Sequence, residues 1–204
     1  MTIYKPAQSS DDAHLRVMET PNFYLTATSI PLGGTDFSDY SNGGFRFPVP
    51  ILTGTTITSA KMTLRASASS ATVCNLRIKG DDIDDSATFS TWPNYVGRTR
   101  TTAFVDWTPT AWTIGLDYDS PDITSIVQEI VNRVGFTNHL TIFIENIATS
   151  FGFRNCVSYD SSTVNCARLE IITTAPGPTM DQIMKHGKWF NGGTYQGFWL
   201  GWRT

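Results

Sequence analysis

The sequence predicts an all-β chain: a two-sheet β-sandwich with jelly-roll-like connections, one short capping α-helix and an extended C-terminal aromatic arm. Three observations predict it. Apolar and polar residues alternate at a period of two in several short stretches separated by Gly, Pro, Asn and Asp, the pattern of half-buried strands joined by turns. One stretch alone, Asp122–Val134, keeps helical spacing. Charged residues are sparse at 16%, while Thr and aromatic residues are plentiful, which favours strands over helices.

The elements follow in order. Phe23–Ile30 and Gly44–Val49 are the first expected strands, the second ended by Pro48 and Pro50, which have no N–H to give a ladder. In Ser59–Ser69, Ala60, Met62, Leu64, Ala66 and Ala68 face one way, and Lys61, Thr63, Arg65 and Ser67 the other. Val73–Lys79 repeats the pattern with Cys74, Leu76 and Ile78 inward. Ala103, Val105 and Trp107 alternate next, then Leu140, Ile142 and Ile144, and Leu169 with Ile171 marks the last core strand. Between them, Ile123, Ile126, Val127, Ile130, Val131 and Val134 form one apolar stripe, so one face of a helix lies on the sandwich and closes an open end of its core. Ser120 is placed to cap that helix, Pro121 suits its first turn and Gly135 its stop.

The 204 residues divide into a sandwich domain over 1–174, including an N-terminal segment, and a distinct tail over 175–204. Thr-Thr-Ala-Pro-Gly-Pro after Ile172 reads as a linker. The tail beyond it sets Trp189, Phe190, Tyr195, Phe198, Trp199 and Trp202 among glycines. It is too short to build a core of its own, so its rings either fold back on the sandwich or bury in another subunit. The second reading makes these six residues partner-binding.

Charge and hydropathy exclude several classes. A formal net charge of −3 with scattered Lys and Arg leaves no electrostatic footprint for nucleic acid. No run approaches the roughly 20 apolar residues of a spanning helix, and the N-terminus has no stretch of signal-peptide length. Neither a membrane span nor signal-peptide export is therefore expected; the chain is read as folding in a cytoplasm and, if it works outside a cell, as leaving by lysis, a dedicated secretion system or packaging in a virion.

Few residues group in ways that carry chemistry. Asp81, Asp82, Asp84 and Asp85 crowd one turn; they are weak candidates for calcium, without the alternating acidic spacing of an EF-hand, and otherwise a solvated turn bonding local amides. His14, His139 and His186 are far apart, and no nucleophile elbow, phosphate loop or zinc signature occurs. Asp117 and Asp119 could be imagined as a glycosidase pair but read better as part of the loop into the helix. An enzyme is not expected. Trp92 and Tyr95 lie in a Pro/Asn/Gly loop, where exposed rings could stack on a sugar and otherwise pack the loop. Trp107 has inward parity, and Trp112 is placed beneath the loop after Pro109. The three cysteines give an odd count, which does not support a disulfide framework. If Val157–Tyr159 pairs with Thr163–Asn165 around Asp160–Ser162, Cys156 and Cys166 become cross-strand neighbours able to bond; otherwise they are unrelated thiols. Cys74 has core parity.

A resemblance joins these readings. Asn42-Gly-Gly-Phe-Arg-Phe-Pro-Val-Pro followed by Thr55-Thr-Ile-Thr-Ser-Ala-Lys-Met, then Lys79–Phe89, Trp107–Trp112 and Pro121–Arg133, resembles carbohydrate-binding-like β-sandwich modules of the DNRLRE type. Such modules are found in bacterial surface proteins and phage structural proteins. The likeness spans about residues 9 to 173 and transfers fold better than function. Met184–Phe190 with Gln196-Gly-Phe-Trp199 is similar to short C-terminal tails of phage particle proteins. The resemblance implies a non-enzymatic virion protein, assembled in a host cytoplasm without a signal peptide, decorating or cementing a capsid or attaching at the neck or tail. Its partners would be capsid, neck or tail subunits and copies of itself. The alternative it implies is a carbohydrate-binding module acting in adhesion, with glycan as ligand.

Overall fold

The structure, a computed structural model, describes residues 1–34, 39–147 and 151–174, and the backbone of residues 190–191 and 194–195. Alternation that buries one face of each strand has produced two antiparallel sheets packed as a sandwich. Its strands are β1 (Thr2–Tyr4), β2 (Asp12–Val17), β3 (Asn22–Tyr24), β4 (Ser29–Gly34), β5 (Tyr40–Pro48) and β6 (Ile57–Arg65). They continue with β7 (Leu76–Asp81), β8 (Arg100–Trp107), β9 (Asp117–Asp119), β10 (His139–Asn146), β11 (Phe153–Val157) and β12 (Arg168–Thr173). Two short helices, α1 (Trp92–Val96) and α2 (Thr124–Val131), interrupt them. Among the described residues, the small sheet runs β1-β12-β6-β9 and the large one β11-β4-β5-β10-β7-β8, with β2 also on β5 and β3 on β2. Neighbours come from distant parts of the chain, β1 with β12 and β4 with β11, as the jelly-roll-like connectivity requires.

The predicted inward residues fill the space between the sheets. Ala60, Met62 and Leu64 of β6, Leu76 and Ile78 of β7, and Leu140, Ile142 and Ile144 of β10 are all buried in one cluster with Leu169 and Ile171. A second, smaller cluster lies on the other face of the large sheet, where Phe143 packs with Ala13, Leu15, Phe89 and Tyr95. Strand β10 is therefore buried on both faces, and its near-continuous apolar run is that of a central strand.

Several expected elements shift. Phe23–Ile30 is not one strand but β3 and β4 with a break between them, and the pairing of β2 with β5 was not foreseen. The strand expected over Ser59–Ser69 ends at Arg65, because Ala66 and Ser67 turn away to meet Cys156 and Asn155 of β11. That meeting joins the two sheets at one side of the sandwich. Asp117–Asp119, expected in a loop, pairs with β6 as β9.

Helix α2 closes the other side. Its stripe of Ile126, Val127, Ile130 and Val131, with Ile123 just before it, is fully buried as expected, whereas Val134 lies past the helix end and is 97% exposed. Ser120 does not cap: its Oγ accepts from Met62 N and donates to Pro121 O. The first helical amide, of Thr124, is taken by Asp122 Oδ1 at 2.7 Å instead. The helix stops at Asn132, and Gly135 serves close approach instead, since a Cβ there would lie 2.2 Å from Asp84 Oδ2.

The segment before α2 and the helix itself complete the edge of β6. Ser120 N donates to Met62 O, Ile123 N to Ala60 O, and the amides of Ala60 and Ile57 donate to Thr124 Oγ1 and Gln128 Oε1. On the opposite flank, Glu129 accepts from the amides of Thr102 and Ala103 at 2.8 and 2.7 Å, at a register irregularity in β8 opposite Gly80. Burial opposes the Glu129 charge, but these amides outweigh it and hold the carboxyl below its ordinary pKa.

Gly80 lets the helix sit this close. A Cβ on it would stand 2.6 Å from Ile130 Cδ1 and 3.0 Å from both Ile126 Cγ2 and Thr101 Cγ2. Gly80→Ala is accordingly expected to lower stability by about 1–3 kcal/mol, as overpacking does, read as a fall in the denaturant midpoint with an unchanged slope.

The chain divides into two compact units, Met1–Thr174 and Ala175–Thr204. In the second, Phe190–Asn191 and Thr194–Tyr195 pair as a small antiparallel ribbon.

Candidate functional site

The acidic turn after β7 and the helix α1 sit against one another, and together they hold the densest polar network of the described residues. The turn is not arranged around a cation. Asp81 pairs with Arg98 at 3.1 Å, Asp84 with Arg133 Nε at 2.7 Å, Asp82 with the same guanidinium, and Asp85 with His139 Nδ1 at 2.8 Å. Four carboxylates thus turn toward two arginines and a histidine. Among the described residues no group of three His, Cys, Asp or Glu could hold a metal. The weak calcium reading of Asp81, Asp82, Asp84 and Asp85 gives way to ion pairing.

Arg98 is the centre of that network, and sequence reading missed it. Its guanidinium donates to Asp81, Ser86 Oγ, Ala87 O, Thr88 O and Asn94 Oδ1, and lies 4.4 Å above the ring of Phe89. Burial draws its pKa below the ordinary guanidinium value, and the carboxylate of Asp81 opposes the shift. Arg46 with Asp11 (2.8 Å) is a second buried pair. Neither pair shows in the sequence, because each joins residues on different elements.

Helix α1 starts where Thr91 Oγ1 accepts from Asn94 N and Pro93 stands at the first turn. Between it and the acidic turn lies a cleft of about 330 Å³, lined by residues 81–83 of the turn and by Pro93, Asn94 and residues 97–99. Trp92 is 45% exposed, next to Pro93. Tyr95, expected as its exposed companion, points the other way and is 1% exposed. Its ring packs edge-on to Phe143 at 5.3 Å and lies 5.5 Å from Phe89, over Gly44, where a Cβ would stand 2.6 Å from Phe89 and 2.9 Å from Tyr95. No face of Tyr95 is open to stack on a sugar, so the expected pair is reduced to Trp92. The apolar demand of the second cluster, not visible in the local Pro/Asn/Gly pattern, turned the ring inward.

The remaining candidates are placed as follows. Trp107 and Trp112 are both buried, with Trp112 stacked on Tyr118 at 5.0 Å. Asp117 and Asp119 are ion-paired, with Arg65 and Arg168 and with Lys61 respectively. His14 is buried against Tyr24 with its pKa lowered by burial to about 4. Cys156 and Cys166 are free and buried, as is Cys74. The hairpin expected to bring the pair together is absent, because Val157 pairs with Ser29 of β4 and residues 158–166 coil through Ser162 N to Ser158 O and Cys166 N to Ser162 O. Burial raises the pKa of both thiols, leaving them poor nucleophiles. Trp189, Phe198, Trp199, Trp202 and His186 lie outside the described residues, and Phe190 and Tyr195 are described in their backbone alone.

Arg154 was also missed. It is 1% exposed and meets no carboxylate among the described residues; it donates to the carbonyls of Thr72, Pro109, Thr110 and Phe153. The arginine thereby ties together the loops at one end of the sandwich.

No protein-family model matches this chain, and a search of curated proteins finds no match. What the geometry defines is a two-sheet antiparallel β-sandwich whose acidic turn is engaged in ion pairs.

Two measurements check this account. Arg98→Ala, which strands Asp81 without its buried cation, is expected to cost about 3–5 kcal/mol of stability, whereas Asp85→Asn at an exposed pair costs less than about 1 kcal/mol. Tyr95→Phe is expected to leave stability unchanged or raise it by about 1 kcal/mol, because the buried hydroxyl has no hydrogen-bond partner among the described residues; both are read from chemical denaturation.

Proposed function

We propose that this chain is a non-enzymatic structural protein of a phage particle, most simply one that decorates or cements the capsid, with neck or tail attachment as the next reading. The observation that carries it is the division of the chain. A sandwich unit over residues 1–174 is followed along the chain by a second compact unit over 175–204. That unit holds Trp189, Phe190, Tyr195, Phe198, Trp199 and Trp202. Aromatic anchors of this kind dominate the energetics of interfaces when a partner buries them. The partners would be capsid, neck or tail subunits and copies of this chain.

The mechanism is one of shape and area. The sandwich is a rigid plate, and its tail supplies the contacts. A stable interface of roughly 1,600 Å² needs such anchors, and repetition over a particle multiplies weak single contacts through avidity. The charge pattern agrees with a protein partner, since the arginines described above are spent on carboxylates and carbonyls within the chain. The particle would be assembled in a host cytoplasm.

A glycan-binding role in adhesion is the second reading, favoured by the exposed Trp92 beside the 330 Å³ cleft.

The test compares the full chain with one ending at Thr174. The shorter chain is expected to keep the far-ultraviolet spectrum and cooperative unfolding of the sandwich while remaining monomeric and failing to join particles, which the full chain does. Equal behaviour of the two, together with binding on a glycan array that Trp92→Ala abolishes, would replace the assembly reading with the second.

A further inference from the structure

Residues 5–11 carry the chain from β1 in the small sheet to β2 in the large one, and residues 158–167 carry it back from β11 to β12. These two crossings are tied to each other. Tyr159 donates its amide to Asp12 Oδ2 at 2.6 Å and its hydroxyl to Ala7 O at 3.1 Å. Ser9 Oγ donates to Asp160 at 2.8 Å, and Lys5 Nζ to Val164 O at 2.7 Å.

At the centre of the ties is a carboxyl that no cation meets among the described residues. Asp12 is 2% exposed, and among the described residues its carboxyl accepts from the amide of Tyr159. The groups around it add negative charge or none: Asp11 beside it, Asp160 on the opposite crossing, and the thiols of Cys156 and Cys166, on both of which its charge acts. The cations of this region are engaged elsewhere. Arg46 is held by Asp11 at 2.8 Å, Arg168 by Asp117 at 2.5 Å, and Lys5 by the Val164 carbonyl. His14, two residues along the same strand face, is kept neutral above about pH 5 by its own burial.

We propose that the Asp12–Tyr159 crossing is a pH-sensitive latch: with Asp12 protonated the two segments stay closed, and loss of that proton favours an opened crossing in which residues 5–11 part from 158–167 and β1 loosens from β12.

The sign follows from the surroundings. Burial raises the carboxyl pKa to about 7, the Tyr159 amide pulls against it, and Asp160 and Asp11 add to the rise. Opening returns the carboxyl to water and to its ordinary value near 3.9. Below about pH 4 both states are protonated and the closed crossing has its full stability. From about pH 4 to about 7 the opened state loses its proton first, so closure weakens as pH rises; above about 7 the effect is complete. The depressed carboxyl of Glu129 works in the opposite direction, so the latch is read locally rather than from global stability.

The experiment is native-state hydrogen exchange on the full chain at about pH 5 and about pH 7.5, corrected for intrinsic rates, in the regime where exchange reports the opening equilibrium. The opening constant of the β1 and β12 amides is expected to rise tenfold or more between the two, while amides of β10 change little. Asp12→Asn is expected to abolish the rise. Should that variant not fold, the carboxyl carbon-13 shift of Asp12 in the unaltered chain decides, with a midpoint above about 5.5 supporting the latch and one below it overturning it. An opening constant that ignores pH, or a rise that survives in Asp12→Asn, overturns it as well.

Discussion

The sandwich depends on how its sheets end. An edge strand leaves a row of amides and carbonyls without partners, and two stacked sheets leave such rows on both flanks. Helix α2 answers two of them at once. Adjacent residues at its middle reach in different directions, Gln128 to the Ile57 amide of β6 and Glu129 to the Thr102 and Ala103 amides of β8. The buried stripe beneath them decides that the helix lies there at all, since apolar burial is the dominant favourable term. The polar pair then decides its register. On the opposite flank no helix is needed, because the chain leaves β6 with Ala66 facing Cys156 and Ser67 N donating to Asn155 O of β11.

How much of this could be read in the sequence depends on range. Where a residue's fate follows from its immediate neighbours, the reading held: Met62, Leu64, Leu76, Ile78 and the α2 stripe are inside as their periods require. Where fate depends on distant partners, it failed. Tyr95 sits in a loop-like Pro/Asn/Gly context, yet Phe89 and Phe143 from other parts of the chain draw it inward. Strand β2 was invisible because Asp12, Ala13 and His14 are buried together by β5 and by the 158–166 segment, so no alternation survives. The acidic turn offered a weak cation candidate because the side chains that partner it, Arg98, Arg133 and His139, come from other parts of the chain. Charge clusters in a sequence are half of a list whose other half is set by folding.

The polar interior also bears on what kind of protein this is. Arg98 and Asp81, and Arg46 and Asp11, are pairs whose burial yields little net stability but penalises any arrangement that separates them. Arg100 lies 3.5 Å over the ring of Phe143 while bonding Glu145, so cations also roof the second cluster. Groups held so firmly fix the packing of the elements they join, because moving one element would strip each of them of its partner.

Arg154 carries a different lesson. It holds the loops around residues 72 and 109–110 through main-chain carbonyls, and a carbonyl is the same whatever side chain follows it. Apart from a bond to Ser70 Oγ at 3.3 Å, the clasp therefore reads the path of these loops and not their spelling. Side chains displayed at that end of the sandwich can be exchanged without touching these carbonyl contacts, so its surface chemistry and its loop path are set by different atoms.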